Sequence, residues 1–275
     1  MAKLLAWGFQ ELLPENQIIL NNINEIISKN YKKFGYVNIE TPAVELNEVL
    51  TSKWGDEVSK QIFGLYWLKQ GWEDLKQYSL HFDLTVPLAR YVVDNENELK
   101  FPFKRYQIQK VWRGERQQKW RFKEFTQADI DVIWSNLSLN YDSEVILTLY
   151  SALKDIFEFL NIDKKAEVHF NNKKFIEWIC VKYSILDENR VKFFNLLDNF
   201  YKIEATLFDE KLKQIVWVNF LDISKNLKTE IMDLDDSQNW VLELKQVYNS
   251  LKNKWVNIVF DPYITRGLDY YTGTV

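Results

Sequence analysis

The chain of 275 residues has one cysteine, Cys180, and two histidines. A lone thiol excludes an internal disulfide, and so few thiol and imidazole groups leave little for a zinc site. The amino-terminal stretch MAKLLAWGFQELLPENQ is too polar, and its apolar run too short, for a signal peptide or a membrane span, so a cytoplasmic protein is expected. A net charge of -4 argues against a generally basic nucleic-acid coat protein but leaves room for a local basic patch. Glycine is scarce, 8 of 275 residues against a usual share of about 7%. Tryptophan, at 11, is abundant. With 47% hydrophobic and 27% charged residues, a soluble globular protein of one or two domains follows.

What is present reads as an alternation of elements. Ile18, Ile19, Ile23, Ile26, Ile27 and Tyr31 fall at helical spacing over residues 15–34, and Gly35 follows as a stop. YVNIETPAVE reads as a strand broken by Pro42, and YSLHFDLTVPLARYVV as a strand turning into a helix at Thr85. FPFKRYQIQKVWRGE and RFKEFTQADIDVIW alternate around a polar tip at 114–120, which predicts a hairpin. Residues 143–160 form a strong helical pattern, 167–172 a strand, 173–253 a helical module, and 255–262 a further strand.

Three clusters carry chemistry. Around the hairpin tip stand Arg113, Arg116, Lys119, Arg121 and Lys123, with Glu115 and Glu124 among them. The arginine fork binds phosphate oxygens in pairs and stays charged, so the tip suits a phosphate cradle; the same pattern also describes a solvated tip of mixed charge. In HFDLTVPLAR, Asp83 and Thr85 would face one way on an extended chain and hold an ammonium, or either would cap the following helix. In FDPYITRGLDYYTG, Arg266, Asp269, Tyr270 and Tyr271 crowd beside Gly267 and Gly273, as a ligand site or as an aromatic strand end.

Taken in this order the clusters resemble the core of a class II aminoacyl-tRNA synthetase, and within that class the histidyl-tRNA synthetases. YVNIETPAVE resembles motif 1, RYQIQKVWRGERQQKWRFKEFTQADID motif 2, and TRGLDYYTGTV the histidine-specific motif. The resemblance implies an α+β fold, a mixed antiparallel sheet flanked by helices. Residues 1–165 would be catalytic core, 166–254 a helical insertion module, and 255–275 a return to the core that stops before motif 3. It further implies a ligase that joins histidine to ATP as histidyl-adenylate and then charges tRNA(His), working as a homodimer through the region of Pro42. Arg113 and Arg266 would be catalytic at the α-phosphate, and Arg113, Glu115, Arg121 and Phe125 would bind ATP, with Mg²⁺ on its outer phosphates. Asp83, Thr85, Gln127, Asp131, Arg266, Tyr270 and Tyr271 would surround histidine. Lysines 173, 174, 182, 192, 202, 211 and 213 of the helical module would meet tRNA phosphates, or simply solvate a surface. A regulatory subunit of histidine biosynthesis shares this core and binds histidine without charging tRNA; the complete ATP set favours the ligase. The chain is expected to be a fragment that does not complete the reaction efficiently.

Two features depart from the family pattern. Gln117 stands at a usual proline, and Trp120, Trp134 and Trp255 stand where the family has glycine. Trp54, Trp67, Trp72 and Trp178 fall in glycine-compatible turns, whereas Trp112 fits an aromatic position. Were every tryptophan but Trp112 a glycine, glycine would reach 18 of 275, close to the usual share of about 7%. Both oddities of composition would vanish together. The expectation is that UGA codons, read as glycine in the source lineage, are written here as tryptophan; the alternative is a tryptophan-rich lineage with real indoles in these turns.

Overall fold

The computed structural model describes residues 4–51, 60–65, 77–115, 121–216, 219–265 and 271–275. It divides into two compact units, Met1–Leu137 and Ser138–Val275.

In the first unit, α1 (Pro14–Lys33) opens with Pro14 at its first turn, carries Glu15 there and Lys32 and Lys33 in its last turn, an order that suits the helix dipole. Gly35 follows at φ 81°, a conformation glycine adopts freely. The expected strand around Pro42 is two short pieces, β1 (Val37–Asn38) and β2 (Val44–Leu46). The short helix α2 (Asn47–Thr51) follows, then β3 (Gly64–Leu65) and β4 (Tyr78–Leu80), which with β2 make an antiparallel sheet in the order β2-β4-β3. The helix α3 (Thr85–Asp94) leads to the long strands β5 (Phe103–Trp112) and β6 (Glu124–Ile133). These two pair antiparallel over their whole length, and β1 joins β5 in parallel. Tyr31 of α1 meets Tyr106 of β5 edge-on, with centroids 5.5 Å apart, so α1 lies against one face of the strand pair. The opposite face carries the odd-numbered residues, because directly opposed strand residues point the same way. The predicted stripe of α1 is only partly covered: Ile18 and Ile19 are exposed.

The second unit starts with α4 (Leu139–Phe159), four residues earlier than the pattern at 143 suggests. Strands β7 (Val168–Phe170) and β8 (Ile258–Phe260) pair in parallel. Between them run α5 (Lys173–Lys182), α6 (Asp187–Asp198), α7 (Ala205–Val216), α8 (Phe220–Asn226) and α9 (Asn239–Lys252). Val241, Leu244, Val247 and Leu251 of α9 recur every three or four residues and are all buried in one apolar cluster with Phe175, Phe193 and Leu212. The final residues return to β7: Asn171 and Val275 exchange backbone hydrogen bonds of 3.0 and 2.9 Å.

The tryptophans divide. Trp178 lies inside α5, not in a turn, and its ring meets that of buried Trp240 at 5.8 Å, so the glycine expectation does not extend to this pair. Trp134 is exposed and stacks on Phe101. Trp255 has φ 62° and is 91% exposed, in the turn after α9, so β8 begins only at Ile258. Trp54, Trp67, Trp72 and Trp120 lie outside the described residues.

Candidate active site

The hairpin register sets which side chains meet. Trp112 pairs with Glu124 and Phe103 with Ile133, which places Arg105 opposite Asp131, Gln107 opposite Asp129, and Gln109 opposite Gln127. All six therefore share one face of the ribbon. Beyond the last ladder pair, the Arg113 amide donates to Lys123 O at 2.9 Å, so both flank the tip. Gly114 is held against the backbone: its amide donates to Gln61 O at 2.7 Å, and a Cβ there would come within 3.0 Å of that oxygen.

Arg113 is positioned by several contacts. Its Nε donates to Phe82 O at 3.2 Å and its Nη2 to Gln127 Oε1 at 3.5 Å, while its guanidinium lies 4.6 Å from the Phe82 ring centroid and 5.0 Å from that of Phe125. Glu115 and Arg121 face each other at 3.5 Å across the start and end of the tip. Five cations were expected around this tip; Arg116 and Lys119, like Gln117, lie outside the described residues. Lys123 instead lies 4.4 Å from the ring centroid of Trp7.

Further along the same face the chemistry changes sign. The Gln127 amide donates to both oxygens of Asp129, at 3.0 and 2.9 Å. Asp131 forms an ion pair with Arg105, whose side chain is fully buried. Burial raises the Asp129 carboxyl above its ordinary value, opposed by the Gln127 amide and by Arg105. Burial also raises Asp131, with Arg105 opposing. Asp83 caps α3: its Oδ1 accepts from the amides of Thr85 and Val86, each at 3.2 Å. The chain therefore turns at Asp83 instead of continuing extended, and the two side chains do not alternate along a strand as one reading of HFDLTVPLAR has it. Thr85 is exposed at the first turn of α3. Arg266 and Tyr270 lie outside the described residues; Tyr271 is exposed in the second unit.

Sequence reasoning did not single out Phe82, Arg105, Gln107, Gln109 or Asp129. Strand alternation was the available signal, since every second residue from 105 to 113 and from 125 to 131 is polar or aromatic apart from Val111.

A long antiparallel ribbon with an arginine and a glutamate at its tip and carboxylates deeper on the same face accords with the class II aminoacyl-tRNA synthetase core that the sequence motifs resemble. The family model for histidyl-tRNA synthetase matches residues 8–275. Curated histidine–tRNA ligases of Clostridium tetani and Finegoldia magna are each 40% identical over 98% of this chain, which covers 62% and 64% of their lengths. The crystal structure of histidyl-tRNA synthetase from Nostoc sp. PCC 7120 superposes with a TM-score of 0.80 at 31% identity, over the whole of this chain and 64% of that one. A Bacillus halodurans protein described as an ATP phosphoribosyltransferase regulatory subunit/histidyl-tRNA synthetase shares the fold, with a TM-score of 0.75 at 20% identity over 97% of this chain and 70% of that one. The chain belongs to the histidyl-tRNA synthetase family. It spans somewhat less than two thirds of the length of the curated relatives it matches.

Proposed function

We propose that this chain is the catalytic core of a histidine–tRNA ligase, which makes histidyl-adenylate and pyrophosphate from histidine and ATP and then charges tRNA(His). The reading is carried by one arrangement: Arg113 at the mouth of the ribbon face, linked through Gln127 to Asp129, with Asp131 next along the strand. A cation beside the tip suits the charge that builds on the α-phosphate as the substrate carboxylate attacks and pyrophosphate leaves. Carboxylates deeper in the same face suit an ammonium and a polar ring.

In this reading Arg113 meets the α-phosphate and the histidine carboxylate, together with Arg266. Glu115 faces the adenine amino group, Phe125 stacks on the ring, and Arg121 meets the outer phosphates. Asp83, Thr85, Gln127, Asp131, Tyr270 and Tyr271 surround histidine. Asp83 has one carboxylate oxygen engaged in capping, so its second oxygen is the one assigned to substrate. Mg²⁺ would enter with the ATP phosphates. Among the described residues no group of three or more His, Cys, Asp or Glu is placed to hold a metal ion, and magnesium bound mainly through phosphates needs no such cage.

Residues 166–254 serve as the insertion module that meets tRNA. Lys173, Lys174 and Lys202 already pair with Glu177, Glu243 and Asp198, which weakens the case for those lysines on phosphate. The homodimer reading is supported by Val37, Val44 and Leu46, exposed apolar residues flanking Pro42. A cytoplasmic location accords with tRNA charging; no described helix is long and apolar enough to cross a membrane.

The test is titration of histidine, then ATP, into the chain, followed by histidine-dependent exchange of pyrophosphate into ATP. Binding of histidine in preference to other amino acids is expected, with weak exchange from residues 1–275 alone. Absence of histidine binding would overturn the reading. Histidine binding with no affinity for ATP would favour the regulatory-subunit alternative.

A further inference from the structure

Arg105 sits where a strand pair would ordinarily bury an aliphatic side chain. It is 0% exposed, in the middle of the first unit, on the same face as the proposed histidine pocket. Its Nη2 forms the ion pair with Asp131, and its Nη1 donates to Gln107 Oε1 at 3.4 Å. Its Nε and Nη2 are both buried without a hydrogen-bond partner, the contact of Nη2 to Asp131 being an ion pair alone. Gln107, itself fully buried, donates to Thr41 Oγ1 at 2.9 Å and to the side-chain oxygen of Gln109, and Gln109 donates to Thr41 O at 2.9 Å. The guanidinium is thus tethered at one end to the backbone just before Pro42 and presents its other end to the carboxylates.

Stability alone does not account for such a residue. A buried ion pair contributes little net against a well-packed apolar replacement, because both charges must leave water. Here the accounting is worse still, since Nε has no partner and Nη2 has only the ion pair, without a hydrogen bond. The carboxylates gain most from the arrangement. Three acids, Asp83, Asp129 and Asp131, lie within electrostatic reach of Arg105, and Asp131 keeps 37% of its side chain exposed. Without a buried cation behind them, clustered acids repel and one takes up a proton, which removes an acceptor for an ammonium.

We propose that Arg105 is a positioning residue for the amino-acid substrate, holding the Asp131 side chain in place at the pocket through their ion pair. Arg105 does not touch the substrate; it acts through Asp131. The inference rests on the histidine-binding reading of Asp131, and it adds a residue outside the set assigned by resemblance.

The experiment compares the chain with Arg105→Met and Arg105→Lys, measuring histidine and ATP binding by calorimetry near pH 6 and near pH 8, with circular dichroism to establish folding. Arg105→Met is expected to weaken histidine binding at least ten-fold near pH 6 while leaving ATP binding within about two-fold. The deficit should shrink near pH 8, where Asp131 loses the proton it takes up without its cation. Arg105→Lys, which retains the charge, should recover most of the affinity. If Arg105→Met does not fold, Arg105→Gln, which removes the charge and keeps a polar head, decides: selective weakening of histidine over ATP supports the proposal, and equal loss of both ligands overturns it. Histidine affinity in Arg105→Met within two-fold of the parent, or a deficit independent of pH, also overturns it. Failure of the parent chain to bind histidine would be a different result, removing the ligase reading and this inference with it.

Discussion

The ribbon face of the first unit buries Arg105 and Gln107 as completely as the helical interior of the second unit buries Phe175, Phe193, Leu197 and Leu212. The second interior is bound by dispersion and by the exclusion of water, which scale with apolar area and tolerate swaps of similar volume. The first depends on a chain of specific partners, Asp131–Arg105–Gln107–Thr41, in which losing any member strands another buried polar group. An apolar interior is where the chain gains stability. A polar one, with two Arg105 nitrogens lacking hydrogen bonds, gains little stability, and there we propose that the chain has committed residues to a ligand.

The largest effect that would sharpen this contrast is in the helical interior. Phe175 is fully buried and its ring meets those of Trp178, Trp240 and Phe260. Phe175→Ala should lower the stability of this unit by about 3–5 kcal/mol in urea unfolding. A loss below about 1 kcal/mol would show that the ring cluster is loosely packed and that the contrast is overdrawn.

On the ribbon face the expected effect falls on chemistry. Arg113→Ala should slow histidine-dependent pyrophosphate exchange, measured in a chain competent for it, by about a hundred- to a thousand-fold, as loss of one donor to a developing phosphate charge does elsewhere. Stability should change by less than about 1 kcal/mol, because Arg113 is only half-buried. A large destabilisation with unchanged exchange would reverse the roles given to the two regions.

Much of this architecture was legible. The period of α1, the break at Pro42 and the two long strands follow from spacing and from proline and glycine chemistry. The face of the ribbon was legible too, since alternation groups Phe125, Gln127, Asp129 and Asp131. Its register was not. A tip taken symmetrically at 114–120 would pair Arg105 with Asp129, two residues away from the observed pairing with Asp131. A shift of two preserves the face and moves only the partner, so hydrophobic pattern cannot detect it. Asp83 illustrates a second limit: acceptance of backbone amides by a carboxylate and acceptance of a substrate ammonium call for the same residue type at the same place.

The tryptophans test the boundary between sequence and fold directly, at a smaller energy. Trp255 and Asn161 both lie in the left-handed region, at φ 62° and 51°. Asparagine tolerates that conformation and a bulky indole does not, so the strain at Trp255 is of order 1–3 kcal/mol, part of which glycine would forfeit through its freer unfolded chain. Trp255→Gly should therefore stabilise by about 1 kcal/mol and raise the melting temperature by about 2–4 °C, whereas Asn161→Gly should change little. Because the indole is 91% exposed, its removal sacrifices almost no packing. Stabilisation at 255, with loss of stability on Trp240→Gly in the apolar interior, would separate a position built for glycine from one built for a ring. Loss at both would make the indole at 255 native.

The smallest expected effect lies at the edge of the helical unit, where a polar cluster interrupts its apolar character. His169 Nδ1 lies 2.8 Å from Asp261 Oδ2 and its Nε2 lies 2.8 Å from Glu167 Oε1. Tyr201 also donates to Asp261 Oδ2, at 2.8 Å, and the Tyr263 amide donates to Oδ1 at 3.0 Å. An imidazole with a carboxylate at each nitrogen is best satisfied when both nitrogens carry protons. The hydrogen bond to Asp261 is the main cause that raises its pKa above the ordinary 6.5, with burial opposing and Glu167 adding. A raised folded value means stability that is fully present below 6.5 and is lost as pH climbs through the folded pKa. The stability difference between the parent and His169→Gln should therefore be largest near pH 6 and fade toward pH 9. Because His169 is 39% exposed, the difference should remain within the range of surface pairs, below about 1 kcal/mol. A difference that stays constant across that range would mean the ring is neutral when folded, with one carboxylate protonated in its place, and the helical unit would then have no charged exception at this edge.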